Sequence, residues 1–419
     1  MEAVNVKPVE LVIVGAGDRG TVYASYALQN PDLAKVVGVA EPRDYYRQRM
    51  IADHDIPPEN AFHDWRDLAK TDRFADAVVI TTQDSLHLEP AVAFAEMGYH
   101  MLLEKPMAPD EEGCRRIVDA VLRYDILFAV AHVLRYTLYT RKLKEIIDSG
   151  AIGEVVSMHR LEPVGYWHQA HSFVRGNWRR EEESSSMLLA KSCHDIDWIR
   201  YIMGNECRTV SSFGSLYHFR RENKPENAGS RCTDCGYEPT CPYSAKKIYL
   251  GFIEKGDIGW PVSVITPQVS EESVLDAIAD GPYGKCVYEC DNDVVDHQIV
   301  NMEFEGGKSA SFTMTAFTEA GGRRTSIFGT RGEIYGDGTT IRVFDFLTDT
   351  TKTYDTSMKK ELALEGHGGG DYELIHAFVS AVLHNDPSRI LSGTEETLES
   401  HLIVFAAERS RREKRTIVM

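Results

Sequence analysis

No stretch of this chain approaches the about 18 consecutive apolar residues of a membrane-spanning helix, and its first apolar run, Val9 to Val14, is too short for the core of an export signal. We therefore expect a cytoplasmic protein with no membrane partner. Positive charge is scarce. Only 46 Lys and Arg stand against 64 Asp and Glu, a net charge of −18 that repels phosphate polymers, so nucleic acid is not an expected partner. Internal repeats and low-complexity tracts are missing too, which excludes solenoids and flexible tails. What remains is a globular composition, 43% hydrophobic and 26% charged, spread over 419 residues, more than one ordinary core holds. Two domains are expected. Eight cysteines without an export signal do not suit a disulfide framework and leave free thiols, catalysis or metal.

From Val9 to about Ala131 short aliphatic runs alternate with helical stretches. The runs Val9–Val14, Lys35–Ala40, Ala77–Ile80 and His100–Leu103 each end in polar residues, at Gly15, Glu41, Thr81-Thr82 and Glu104-Lys105. Alternation of this kind predicts a parallel sheet covered on both faces, with ligands beyond the carboxyl ends of its strands. After Arg135 the segments lengthen and alternate, predicting a broad, mostly antiparallel open sheet with Met187–Met203 and Asp371–Leu383 as helices over one face. The fold class is thus α/β. Residues 1–130 form an N-terminal Rossmann dinucleotide-binding domain, and 131–419 an α/β domain for substrate binding and oligomerisation, with a Cys-containing insertion at about 221–267.

Gly15-Ala16-Gly17-Asp18-Arg19-Gly20 follows the first strand and opens a helix. Glycines at these three places allow a tight turn, close approach of a pyrophosphate and close helix packing. Glu41, at the end of the second strand, is placed to accept the two ribose hydroxyls, which points to NAD; Arg43 leaves NADP open. Gly15, Gly17, Asp18, Arg19, Gly20, Glu41, Arg43, Thr81, Thr82, His87, Glu104 and Lys105 are the expected cofactor-binding residues.

The tripeptide Glu104-Lys105-Pro106 behind that fingerprint resembles the Gfo/Idh/MocA family of sugar and polyol oxidoreductases. The resemblance also rests on Thr81-Thr82 with His87, the Gly150-Ala151-Ile152-Gly153 turn and His194-Asp195-Ile196-Asp197. It implies a homo-oligomer, dimer or tetramer, whose open sheet often forms the subunit contact, and a lysine, matching Lys105, between nicotinamide and substrate. One position departs from the family. Where an Asp is usual four residues before the His, this chain has Ala190, followed by Lys191. His194 is the expected general acid/base, and Lys191, on the same helix face, a substitute ligand or proton carrier.

Arg135 and Tyr136, together with Trp167, His168 and His194, are the expected substrate-binding residues, the aromatic faces suiting a sugar ring. His132, Tyr166, His171, the Asp293 to Gln298 stretch and His367 are further candidates, and Asp371 is a natural helix N-cap. Cys232, Cys235 and Cys241 have spacing suited to a structural zinc, with Cys207, Cys286, Cys290 or His218 as fourth ligand, holding an insertion that lacks its own core. The resemblance implies hydride transfer between nicotinamide and a ring hydroxyl carbon of a sugar, glycoside or polyol. Two rival readings are an NAD-dependent glycoside hydrolase, working by transient oxidation, elimination, water addition and re-reduction, and a cofactor-binding regulator without turnover.

Overall fold

The computed structural model describes residues 7–357 and 367–419. Short aliphatic runs form β1 (Val9–Val14), β2 (Ala34–Ala40), β3 (Ala61–Phe62), β4 (Ala77–Ile80), β5 (His100–Leu103) and β6 (Phe128–Val130). They pair in parallel in the order β3-β2-β1-β4-β5-β6. The order reverses between β1 and β4, so the loops after those strands part and leave a crevice at their carboxyl ends. Helices Leu88–Glu96 and Glu111–Arg123 cover one face, while Asp18–Gln29 and Asp44–His54 cover the other. Burial on both faces explains why these strands read as unbroken aliphatic runs.

The second sheet contains β7 (Val155–Pro163), β8 (Cys207–Ser215), β9 (His297–Phe304), β10 (Lys308–Thr315), β11 (Arg324–Gly329), β12 (Gly332–Gly336), β13 (Thr340–Asp345), β14 (Thr350–Asp355) and β15 (Ile417–Val418). Its order is β14-β13-β12-β11-β7-β10-β9-β8-β15, and only the β7/β10 pair is parallel. Met187–Met203 packs on one face as expected, but the second covering helix is Thr394–Glu413. Gly370–His384, expected on this sheet, instead packs on the parallel one. Its Leu374, Ile375 and Phe378 join Tyr23, Ala24, Tyr26 and Ala27 of the first helix in one buried apolar cluster. The last part of the chain thereby returns to the dinucleotide fold.

Between β8 and β9 the insertion is longer than the sequence suggests, running through helices Ala245–Glu254, Val262–Ile265 and Glu271–Asp280. It has an apolar core of its own, in which Phe219, Tyr249, Val274, Ile278 and Val287 pack with Ala170 and Val174. The expectation of a coreless loop is corrected: its aromatic residues are spaced too irregularly to show a helical period, yet they meet in space.

Because Phe378 is fully buried at the junction of the returning helix with the dinucleotide fold, Phe378→Ala is expected to cost about 3 to 5 kcal/mol of unfolding free energy in urea titrations. A loss below about 1 kcal/mol would show that the returning helix is not part of that core.

Candidate active site

The glycine turn is fixed by contacts that a side chain would break. Gly15 has φ +95°, and a Cβ there would sit 2.8 Å from the Thr81 carbonyl oxygen; one on Gly20 would sit 2.1 Å from the Gly15 oxygen. Thr81 Oγ1 donates to that same oxygen at 2.6 Å, tying the ends of β1 and β4 together. Gly17 starts the helix with no side-chain cap, so the first-turn N–H groups have no side-chain acceptor. Beside them lies a cavity of about 520 Å³ lined by Gly17, Asp18, Thr21, Arg43, Tyr46 and the insertion's Pro267. Uncapped amides, a cradle that a Cβ would fill and an adjoining cavity suit a dinucleotide.

Glu41 is engaged differently from expectation. Its Oε2 accepts from the Ala16 N–H at 2.8 Å and from Arg43 Nη2 at 2.9 Å; its Oε1 accepts from Arg43 N at 3.0 Å and Nε at 2.7 Å. Burial works to raise this carboxyl, but the Arg43 guanidinium and the two backbone N–H groups outweigh it and hold it below the usual range. Both oxygens are thus occupied inside the fold, while Arg43, over the Tyr46 ring, is more than half exposed. Arg19 faces inward. Its guanidinium bridges Glu104 Oε1 at 2.6 Å and Asp371 Oδ1 at 2.5 Å, and Tyr23 shares the same Glu104 oxygen at 3.0 Å. Asp371 is therefore not a cap: the helix starts one residue earlier, and the Asp371 carboxylate turns to Arg19 and His367. His87 is buried between the Pro106 and Thr82 carbonyls and fixes the loops after β4 and β5 against each other.

At the end of β5 the ammonium of Lys105 donates to the Ala190 carbonyl at 2.7 Å, in the first turns of the His194 helix. The substituted residue is thus met through its backbone, and among the described residues Lys105 Nζ makes no other hydrogen bond, leaving two of its three donor positions. His194 is 5% exposed, and its Nδ1 has no hydrogen-bond partner among the described residues. Burial, followed by the Lys105 ammonium and His132, holds its imidazole well below the ordinary histidine value. It is neutral at pH 7 and able to accept a proton. His367 stands 5.9 Å away, ring to ring, on the other side of the crevice. Lys191 reaches Glu162 at 3.3 Å, and Arg323 joins Glu162 at 3.0 Å and Asp195 at 2.6 Å.

One wall is aromatic. Trp167 and His168 stack at 5.6 Å between centroids, and Trp260 of the insertion meets them at 5.5 and 4.8 Å. Trp260, Arg323 and Glu162 are absent from the residues expected from sequence, and Asp195 enters there only as part of the motif around His194; Trp260, flanked by Gly259 and Pro261 in a loop-like stretch, carries a visible signal. Arg135 and Tyr136 do not line the crevice. Arg135 is fully buried, pairing with Asp197 at 2.7 and 2.8 Å and Glu396 at 2.6 Å, while the Tyr136 hydroxyl is held by Leu391 and Ser392. Both residues brace the junction, and no free polar atom is left on them for a substrate. His171 is likewise occupied, bonded to Tyr249 and pushed down to about 3 by burial. Asp293 and Asp296 accept backbone N–H groups, and Gln298 bonds Ser212 and Glu408, so this stretch fastens β9 to its neighbours.

The zinc expectation is corrected as well. Cys232, Cys235, Cys241 and Cys286 line one small cavity, yet among the described residues no group of three or more His, Cys, Asp or Glu side chains is arranged to hold a metal ion. Cys232 Sγ instead accepts from Arg175 Nη2 and the Ala245 N–H, and Cys235 Sγ from the Gly229 N–H. The insertion's apolar core supplies the cohesion that the zinc was expected to provide.

Two measurements check this geometry. Arg43→Ala is expected to lower the affinity for NADPH relative to NADH about tenfold in fluorescence titrations, through loss of the exposed cation that lines the cavity at the glycine turn; an unchanged ratio would show that Arg43 does not meet a 2′-phosphate. A base with a depressed pKa stays unprotonated as pH falls, so the acid limb of kcat/KM for alcohol oxidation is expected below pH 6.5; a limb above it would contradict the environment of His194.

The oxidoreductase family's NAD-binding Rossmann fold matches residues 9–132, and its C-terminal alpha/beta domain matches residues 144–419. YteT of Bacillus subtilis, named as an oxidoreductase, is 26% identical over 385 residues, 86% of this chain and 84% of YteT. Levoglucosan dehydrogenase of Pseudarthrobacter phenanthrenivorans is 32% identical over 146 residues, 35% of this chain and 37% of that enzyme. 2,7-Anhydro-N-acetylneuraminate hydratase of Mediterraneibacter gnavus is 25% identical over 208 residues, 50% of this chain and 53% of that enzyme, so the matches to these two functionally named relatives span about half of them or less. A solved levoglucosan dehydrogenase in complex with NADH shares the fold at a TM-score of 0.72 and 20% identity, covering 98% of this chain and 99% of that one. With both family domains matched over most of its length, the chain belongs to the Gfo/Idh/MocA oxidoreductase family.

Proposed function

We propose that the protein is an NAD(P)-dependent oxidoreductase acting on a ring hydroxyl carbon of a sugar, glycoside or polyol. The observation that carries this reading is the docking of the Lys105 ammonium, at the end of β5, onto the His194 helix close enough to act on the imidazole. Bound NAD(P) supplies a hydride acceptor at nicotinamide C4. Lys105 directs its free N–H groups at the reacting hydroxyl oxygen and stabilises the negative charge that grows there. His194, held neutral by burial and by the Lys105 ammonium, takes the hydroxyl proton at an imidazole nitrogen. Trp167, His168 and Trp260 offer flat faces to the sugar ring and keep water from it.

Net glycoside hydrolysis by transient oxidation is the second reading. It is favoured by Ala190, which removes the carboxylate the family usually places beside the histidine. The face of the second sheet opposite its helices exposes Val156, Phe213, Ile299 and Tyr335, which supports assembly with further copies of the chain. Among the described residues no helix is long and apolar enough to cross a membrane.

A panel of glycosides and polyols, followed by NADH absorbance and by aglycone release with and without added NAD, separates the readings. Stoichiometric NADH marks the dehydrogenase, whereas release without net NADH marks the hydrolase. Lys105→Ala is expected to lower kcat at least about 100-fold in whichever activity is found, while NADH binding persists. Turnover that survives this change would overturn the assignment.

A further inference from the structure

We propose that Lys191 and Arg323 form a binding site for a carboxylate carried by the substrate, so that the sugars turned over are acidic ones, uronic acids or their glycosides. The inference rests on the oxidoreductase reading, because it names the substrate class of the same crevice.

The charges at this site are ordered in depth. Lys191 and Arg323 keep 21% and 18% of their side chains exposed, while the carboxylates they touch, Glu162 and Asp195, keep 5% and 0%. An approaching molecule meets the cations first and the acids lie beneath them. The acids are also shared. Glu162 receives both Lys191 and Arg323, and Asp195 receives Arg323 and the buried Arg160, whose guanidinium lies 3.8 Å over the Trp198 ring. Three cations therefore face two carboxylates, leaving one unit of positive charge. Lys105 is not part of that sum, because beside it Glu104 and Asp371 share the single guanidinium of Arg19, and that surplus carboxylate answers its ammonium.

An excess charge held away from bulk water is costly unless an opposite charge arrives with the ligand. One unit matches the single charge of a carboxylate, and a guanidinium beside an ammonium suits its two oxygens. The location is right as well. Lys191 follows the residue whose carbonyl holds Lys105, and lies one helical turn before His194. Arg323 sits on the loop before β11, and that loop packs on the Trp167 segment so closely that a Cβ on Gly165 would lie 2.5 Å from Ala320. A ring on the aromatic wall can thus present one hydroxyl to Lys105 and His194 and a carboxylate to Lys191 and Arg323. The family's aspartate would place negative charge in this space; Ala190 removes it.

The test reads binding apart from turnover. The full-length protein loaded with NADH is titrated calorimetrically with methyl glucuronide and methyl galacturonide, with the matching neutral methyl glucoside and galactoside, and with glucose 6-phosphate. The carboxylates are expected to bind at least about tenfold more tightly than their neutral counterparts, less so as salt rises, with the preference collapsing in Lys191→Met and restored in Lys191→Arg. Equal affinity for neutral sugars, a preference for the phosphate, no binding of either uronide at millimolar concentration, or a preference that survives Lys191→Met would each overturn the site. Arg323→Gln checks the second cation should Lys191→Met fail to fold. Uronide binding without hydride transfer from any sugar would leave this site standing and overturn the oxidoreductase reading instead.

Discussion

Carboxylates buried at the seam between the two sheets, each answered by a guanidinium, are the constraint on which the rest of the molecule depends. Asp195 and Asp197 leave the His194 helix on different sides, one to Arg160 and Arg323 and the other to Arg135. Asp371 and Glu104 meet on Arg19. Removing one partner of such a pair strands a charge in the interior, and breaking it costs about 3 to 5 kcal/mol. The pairs therefore hold the glycine turn, the end of β5, the returning C-terminal helix and the His194 helix in one arrangement, and the crevice is the space between them.

This arrangement explains why a lysine and a histidine far apart in sequence share one site. Lys105 is carried to the Ala190 carbonyl by a strand whose next-door carboxylate, Glu104, is already fixed on Arg19 and Tyr23. His194 is kept neutral by burial and by that same lysine. One group then donates while the other accepts, which is the division of labour an alcohol oxidation requires.

Much of the dinucleotide half was legible in the sequence, because its signals are local: aliphatic runs buried on both faces, glycines at a turn, a polar residue at each strand end. β14 carries no such signal, being an exposed edge strand of threonines and charges. The Thr394–Glu413 helix is hidden for the opposite reason, since Thr397, Ser400, His401 and Glu408 interrupt its buried stripe. Arg135 misled because a strand-end arginine in a binding domain and one that clamps a junction look alike until the partners, Asp197 and Glu396, are seen. The cysteine spacing misled similarly: it describes where thiols fall along the chain, whereas the insertion's cohesion comes from aromatic residues scattered over about 70 positions. Arg323 was invisible from sequence, because its role comes from the loop that brings it to Glu162.

The account stands on passage of a hydride from a ring carbon through nicotinamide, with Lys105 and His194 handling the oxygen and its proton. The most direct measurement supplies glycosides and uronides deuterated at their ring carbons and reads the nicotinamide ring by NMR or mass spectrometry after a single turnover. The account predicts one deuterium at C4 of the reduced cofactor when the sugar leaves oxidised; in the transient-oxidation route the same deuterium returns to the ring carbon of the released sugar and the cofactor ends oxidised. An oxidised sugar formed with no label in the nicotinamide, or a released sugar whose deuterium at the hydride-donating carbon has been lost to water, would contradict it.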